Sequence, residues 1–412
     1  MNPTNAAGLP ALIFVNRFFY PDHSATSQLL SDLAFHMART GRRVQVVASR
    51  GLYDDATSIL SEREEIAGVT IHRVGHPRFS RRTIIGRAFD YTALYVRFAT
   101  TLIRIAERND IVIAKTDPPL LSLVIATVAR LKRLRLVNWL QDLYPEVAFG
   151  LGMKWLRPIM PVLIAARNAS LRSASINVTI GELMASRIHK LGISSSKLAT
   201  IPNWCDDTTI QPHLYYNNSL RTTWGLEGRF VIGYSGNLGR AHEFKTVIAA
   251  AEILRDESDI TFLFIGGGYL TSLLKIEVDA RHLTHMFIFK PYQDRALLPQ
   301  SLSLPDIHWI SLRPEMEGLI VPSKFYGIAA AGRPTIAITS KSGEIVRSIE
   351  RFGSGLHVCV GDADSLATEV RALRANPARV AEMGSNARLM LNACFQRSYA
   401  LAEWSRILNT VF

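Results

Sequence analysis

Two doubly wound α/β sheets in series, each near 200 residues, are what this sequence predicts, and three observations carry the prediction. Apolar runs of strand length alternate with amphipathic runs of helix length along almost the whole chain, as parallel βαβ units require. The alternation breaks once, at the polar stretch DDTTIQPHLYYNNS after Asn203, and then begins again. With 412 residues, 48% of them hydrophobic and 20% charged, the chain is long and apolar enough for two large cores. The expected domains are residues 1–204 and 205–390, with a helical segment 391–412 packing back on the first domain through an apolar face that carries Trp404.

The first half opens with the strand ALIFVN, ending at Asn16, then a loop and an amphipathic helix closed by Gly41. The strands VQVVAS (Val44 to Ser49) and VTIHRVG (Val69 to Gly75) follow, then a long helix from about Ile84 to Glu107. DIVIAK (Asp110 to Lys115), a helix over Leu121 to Lys132, and LRLVNWL ending at Leu140 continue the pattern into the loop QDLYPE. A basic helix from about Pro158 to Arg172, the strand SINVTI, the helix GELMASRIHKLG and the strand KLATIPN complete this half. FVIGYSGN (Phe230 to Asn237) starts the second series. The loop GRAHEFK, the helix TVIAAAEILRD and the glycine-ended strand ITFLFIGGG come next, and MFIFK, IHWISL and TIAIT extend the sheet. No GxGxxG follows the first strand, so a dinucleotide fingerprint is absent.

The second half is organised around Arg313 to Pro334, RPEMEGLIVPSKFYGIAAAGRP, between the strands IHWISL and TIAIT. Pro322 and Ser323 offer helix-start chemistry, and Gly332 and Pro334 stop the helix. A loop of this kind at the carboxyl end of a parallel strand offers unpaired N–H groups to an anion, and a nucleotide diphosphate suits it. Glu315 and Glu317 lie just upstream, where a carboxylate accepts hydrogen bonds from sugar hydroxyls rather than holding phosphate. These parts together describe a nucleotide-sugar site.

Composition narrows the class further. Three scattered cysteines make neither a disulfide framework nor a metal site, which points to a reducing compartment. The N-terminus lacks the basic region of a signal peptide, and the longest uncharged apolar run, Pro118 to Ala129, is too short to span a bilayer. Net charge is +12, and it sits in one place: residues 1–204 carry 26 Lys and Arg against 14 Asp and Glu, whereas 205–412 carry 21 against 21. The clusters are Arg73, Arg78, Arg81, Arg82 and Arg87, then Arg130, Lys132, Arg133 and Arg135, then Lys154 and Arg157 beside PIMPVLIAA. Basic residues interleaved with apolar ones suit an anionic membrane surface. Nucleic acid is not expected, because no nucleic-acid module is visible and the aromatics do not cluster with the charge.

The segments FFYPDHSATSQLLSDLA, NWLQDLYPE, IPNW, YSGNLGRAHEF, FLFIGGG, EGLIVPSKFYGIAAAGRP and SGEIVRSIERFGSGLHVCVGDADSLATEV resemble, in order and spacing from Phe18 to Val370, a family 4 glycosyltransferase of the GT-B fold. The likeness is to the branch that builds cell-surface polysaccharides. GT-B implies two Rossmann-like domains facing a cleft. Under the resemblance Glu317 contacts the donor sugar's hydroxyls, as the first Glu of a Glu-x-seven-Glu motif. Gly327 stands where the second Glu would hold the ribose, and two extra residues intervene, so Ser323, Lys324 or another loop is the substitute expected there.

The family's diphosphate-binding Arg and Lys align with Asn237 and His242. Arg240 in the same loop is the expected phosphate ligand, with Lys245 second and Lys324 the third cation in reach. Gln141 occupies the place of a His near the reacting carbon in many relatives, with Asp142 and Glu146 beside it as acceptor contacts. DHSAT in the first βα loop, with His23 and Ser24, faces diphosphate or acceptor.

The resemblance thus implies a retaining, metal-independent hexosyl transfer with no cofactor other than the nucleotide diphosphate sugar as co-substrate. The acceptor expected is a polyprenyl-diphosphate-linked saccharide at the cytoplasmic membrane face, where the protein associates peripherally. A nucleotide-sugar 2-epimerase of the same build and a non-catalytic sugar-nucleotide-binding protein are the other classes that fit.

Overall fold

The computed structural model describes residues 9–53, 58–75, 84–212 and 218–411, without the side chains of residues 84–88. Residues 1–202 and 400–412 form one compact unit and residues 203–399 a second.

In the first unit the chain runs β1 (Leu12–Val15), α1 (Ala25–Arg39), β2 (Val44–Ser49), β3 (Arg63–Ile66), β4 (Val69–Val74) and α2 (Ile84–Ile105). It continues through β5 (Ile111–Ala114), α3 (Leu121–Lys132), β6 (Arg135–Leu140), α4 (Glu146–Gly150) and α5 (Met160–Ser173). β7 (Ile176–Thr179), α6 (Glu182–Lys190) and β8 (Leu198–Thr200) close the series. The eight strands lie in the order β3-β4-β2-β1-β5-β6-β7-β8, all parallel except β3, which pairs antiparallel with β4. The hairpin of β3 was not expected from the sequence. REEI is charged and half exposed, and it is held in the sheet by pairing with β4 rather than by an apolar pattern.

β1 is buried throughout and pairs with β2 on one side and β5 on the other. It is therefore the strand from which the chain winds first one way and then the other. Ile13 and Val15 pack with Phe98, Leu102, Leu121 and Ile125 of α2 and α3 in a closed core.

The second unit runs α7 (Ser219–Thr223), β9 (Phe230–Asn237), α8 (Lys245–Ile253), β10 (Ile260–Gly267), α9 (Thr271–Ala280), β11 (Phe287–Lys290), α10 (Leu298–Ser303), β12 (Ile307–Ser311) and α11 (Lys324–Ala330). β13 (Thr335–Ile338), α12 (Glu344–Phe352), β14 (Gly355–Val358), α13 (Ala363–Arg374) and α14 (Pro377–Cys394) follow. Its six strands are all parallel, in the order β11-β10-β9-β12-β13-β14, and the winding direction reverses between β9 and β12. β14 is the second strand that the sequence did not reveal. GLHV is only partly buried at the sheet edge, and it follows Gly353, whose φ of +64° ends α12.

The final helix, α15 (Arg397–Thr410), crosses from one unit to the other, as its apolar face suggested. Trp404 is fully buried against Trp139 of β6, with ring centroids 4.6 Å apart. Arg42 donates to Asn409, and Arg135 donates to the Val411 carbonyl, so polar bonds at the helix end fix the same docking. Deleting a buried indole removes both its burial and its stacking partner, at about 3–5 kcal/mol. Trp404→Ala is expected to lower the first unit's stability by about that amount in urea unfolding, with Trp404→Phe losing far less. A loss under about 1 kcal/mol for the alanine variant would show that α15 does not hold the unit together.

Candidate functional site

In a parallel sheet every strand points its carboxyl end to the same edge, and the loops leaving neighbouring strands diverge where the winding reverses. In the second unit that place lies between β9 and β12. The loops that leave these two strands are bonded to each other. Arg313 donates its backbone N–H to the Ala241 carbonyl at 2.9 Å, and Glu243 donates its own to the Ser311 hydroxyl at 3.0 Å.

His242 joins the same seam. A carbonyl only accepts, so the 2.6 Å contact of His242 Nδ1 with the Ser311 oxygen means that Nδ1 carries the proton. Nε2 is then an acceptor, and it takes a hydrogen bond from Lys324 Nζ at 3.1 Å. Burial, with the Lys324 charge adding to it, lowers the imidazole from 6.5 to about 3, so the ring is neutral at any physiological pH. Lys324 itself is brought down from 10.5 to about 7 by burial, and its ammonium lies 4.9 Å from the centre of the Tyr234 ring.

Sequence alignment placed a neutral His where a cation was expected. The fold brings the Lys324 cation, which the sequence placed in reach of the diphosphate, to that spot from α11, and its seat on His242 is what spatial proximity adds. Arg240, exposed in the same loop, stacks its guanidinium 3.8 Å over Tyr269.

Glu317 stands half-buried after the turn Pro314–Met316, and Thr339 donates its hydroxyl to Oε1. The space beside this carboxylate depends on Gly343, where a Cβ would lie 2.5 Å from Oε1. Glu315 is exposed and paired with Arg313 instead. The other expected donor residues are spread around the same strand ends. Asn237 is exposed at the end of β9, with its carbonyl accepting from Tyr234, and Gly268 leaves room for its side chain, since a Cβ there would meet Oδ1 at 2.3 Å.

Three further residues expected to serve the donor lie at α11 and α8. Ser323 precedes α11 but makes no side-chain capping bond, because its backbone is already helical. Gly327 is buried inside α11 with Leu302 3.4 Å from a Cβ built on it, so it faces packed protein. Lys245 is exposed as the first residue of α8.

The first unit has its own group at its reversal point, between β1 and β5. Lys115 at the end of β5 is completely buried, donates to the Thr26 carbonyl at 2.9 Å and lies 3.7 Å from the Trp139 ring centre. Burial holds its pKa well below the ordinary lysine range. Asp117 and Asp142 accompany it. Burial raises Asp117 to about 6 against the pull of Arg17 and Lys115, and raises Asp142 to about 7 with repulsion from Asp117 added. Thr116 Oγ1 accepts the backbone N–H groups of both Gln141 and Asp142 at 3.2 Å, which ties the loop after β6 to the loop after β5.

Arg17 donates to the Tyr91 hydroxyl at 3.0 Å, and the buried Asp22 accepts from the backbone N–H groups of Ser24 and Tyr53. Lys115, Asp117 and Arg17 were missed in the sequence. The signal was there in TDPP and VNR, charged residues set directly at strand ends.

Of the expected acceptor residues, Gln141 is buried beside Asp142, Ser24 caps α1 by position, and His23 is exposed, with its carbonyl accepting from Gln28. Both oxygens of Glu146 accept from Arg167 in a bidentate pair at 2.7 and 3.2 Å, which anchors α5. Arg73 is likewise buried in a pair with Glu64, while Arg78, Arg81 and Arg82 lie outside the described residues and the side chain of Arg87 is not described.

Two Rossmann-like units, each with charged groups at its reversal point, define a GT-B protein. Residues 26–204 match the model of the glycosyl transferase 4-like domain and residues 218–390 that of glycosyl transferases group 1. The chain belongs to the family 4 glycosyltransferases. It is 25% identical over 295 residues to a protein named as the glycosyltransferase WbjE of Pseudomonas aeruginosa, covering 71% of this chain and 72% of that one. It is 27% identical over 252 residues to one named as the colanic acid biosynthesis glycosyl transferase WcaI of Escherichia coli (strain K12), covering 60% and 61%.

Solved structures of the same fold include a sucrose-phosphate synthase of Thermosynechococcus elongatus, with a TM-score of 0.76, 15% identity and coverage of 98% and 99%. Alr3699/HepE of Anabaena in complex with UDP-glucose gives 0.71, 17%, 97% and 99%. WaaG, a glycosyltransferase involved in lipopolysaccharide biosynthesis, gives 0.69, 14%, 96% and 98%.

The bonding of His242 is directly observable. In nitrogen-detected NMR the ring is expected to hold its Nδ1–H tautomer and stay neutral down to about pH 5, because its pKa is lowered to about 3. A titration near 6.5 would show that the ring is not enclosed in the seam between Ser311 and Lys324.

Proposed function

We propose that this glycosyltransferase takes a sugar from a nucleoside diphosphate sugar held by its second domain and places it on a lipid-linked saccharide acceptor held by its first. The transfer retains anomeric configuration, uses no metal, and serves cell-surface polysaccharide synthesis. The observation that carries the reading is the bonded pair of loops after β9 and β12, which puts the Lys324 ammonium and the Glu317 carboxylate at one reversal point. The relatives' names, with UDP-glucose in one neighbour and lipopolysaccharide in another, support the substrate classes.

In this mechanism Lys324 and Arg240 hold the diphosphate and stabilise the charge that develops as it leaves. Glu317 accepts hydrogen bonds from the donor sugar's hydroxyls and fixes its orientation. The acceptor oxygen forms its bond to the anomeric carbon as the carbon–oxygen bond to the diphosphate breaks. The acceptor's proton passes to a diphosphate oxygen on the same face. Asp142, Asp117 and Gln141 orient the acceptor hydroxyl. A second reading, inversion with Asp142 as general base, is favoured by its place after β6, tied to the loop after β5, and by burial that raises its pKa to about 7.

Glu317→Gln and Lys324→Met are each expected to lower turnover by about two to three orders of magnitude, and Arg240→Ala by less, with thermal unfolding nearly unchanged. Free Lys324 loses its proton as pH rises through about 7. Donor affinity in the wild type should therefore fall over that range, and Lys324→Arg should flatten the dependence. Near-normal turnover in Glu317→Gln or Lys324→Met removes that residue from the site.

The stereochemistry separates the two readings. Transfer from an α-linked donor in excess chelator is expected to yield an α-linked product by its proton NMR coupling. A β-linked product assigns the reaction to Asp142 as base, and activity that needs a divalent ion overturns metal independence.

A further inference from the structure

Between β6 and the middle of α5 the chain carries an unusual surface. From Val147 to Gly181 there is no acidic residue, while Lys154 and Arg157 are both exposed there. Around them stand Trp155 at 63% exposure, Val162 at 68%, Ile159 at 46% and Phe149 at 40%. Leu156, between Trp155 and Arg157, points inward and is buried, so the short helical turn Lys154–Leu156 is packed at its base and apolar at its tip. Large apolar side chains at these exposures in one stretch are not ordinary surface.

The place of this stretch in the fold follows from three bonds. Arg167, midway along α5, is held to Glu146 and to the Tyr144 carbonyl in the loop that leaves β6, and Ser170 donates to the Ser122 carbonyl at the start of α3. Arg167 is therefore level with the carboxyl edge of the sheet. Met160 lies seven residues before it, about 10 Å further out along the helix at 1.5 Å per residue. The apolar tip projects beyond the edge where Gln141, Asp142 and Asp117 lie, and it leaves that edge from the same loop.

We infer that Phe149, Trp155, Ile159 and Val162, rimmed by Lys154 and Arg157, form the surface by which the first domain docks on an anionic lipid bilayer. The combination fits the boundary between headgroups and acyl chains: an indole and branched aliphatics enter the apolar layer, and the two cations stay at the phosphate level. Absence of acid over Val147 to Gly181 leaves nothing in that stretch for the lipid phosphates to repel, since Glu146 at its edge is neutralised by Arg167. Docked there, the loop edge with Asp142 lies within about two helical turns of the bilayer surface, within reach of a saccharide carried on lipid. The inference deepens the proposed function by naming the surface that meets the acceptor's membrane, and it rests on that reading only for the acceptor. Bilayer binding itself is measured without turnover.

The test uses the full chain, with vesicles of phosphatidylethanolamine containing about one-third phosphatidylglycerol and vesicles of phosphatidylcholine alone. Wild type should sediment with the anionic vesicles and be released by salt, and brominated lipid should quench Trp fluorescence in wild type but much less in Trp155→Phe. Trp155→Ser with Val162→Ser should weaken partitioning at least tenfold. Lys154→Glu with Arg157→Glu should weaken it more, since each basic residue near the lipid contributes about fivefold. Both pairs should keep wild-type thermal unfolding, the side chains being exposed.

Equal binding to neutral vesicles, or unchanged binding in both pairs, overturns the docking surface. So does a dimer in light scattering that the apolar pair converts to monomer without vesicle binding in the wild type, which assigns the patch to a second copy of the chain. Vesicle binding lost in the variants but no sugar transferred to lipid extract by wild type leaves the surface standing and fails the proposed function instead.

Discussion

The second domain depends on β9 lying directly against β12. Ile232 and Gly233 pair with Ile307 and His308, and the approach is so close that a Cβ at Gly233 would fall 2.2 Å from Pro305. His308 is buried beside it and held neutral by burial, which lowers its pKa to about 4, with Nε2 donating to the Leu302 carbonyl. This contact sets where the winding reverses. It therefore decides which two loops diverge, and the charged residues of those loops become neighbours for that reason rather than through nearness in sequence.

The same geometry explains how the protein holds a cation where the alignment offers a histidine. His242 donates its Nδ1–H to the Ser311 carbonyl of β12 and presents the Nε2 lone pair to Lys324, so the imidazole seats the ammonium. The ammonium is half-buried against the Tyr234 face and gives up much of its basicity, which leaves it responsive to an arriving anion. Lys115 in the first domain shows the contrasting case. It is wholly enclosed, bonded to the Thr26 carbonyl and lying on Trp139, and it acts within the protein on Asp117 and Asp142.

The crossover of α15 joins these features to the core. Trp404 reaches Trp139, and Trp139 is the ring on which Lys115 lies. The last helix of the chain thus supports the strand ends of the first domain from below, and its loss would be felt at the carboxylate pair as well as in stability.

Strand and helix alternation, the restart after Asn203, the apolar face of the last helix, and the loop–helix with Glu317 were all legible in the sequence, because each is a local pattern of period, propensity or punctuation. β3 and β14 were not, since a charged or half-exposed edge strand owes its existence to its neighbour's free N–H and C=O groups. The pairing of Glu146 was not legible either, because its partner Arg167 comes from a helix twenty-one residues on. Lys324 on His242 and Lys115 between Asp117 and Asp142 are tertiary facts throughout: 82 residues separate the first pair, and a buried charge has meaning only once its surroundings have closed around it.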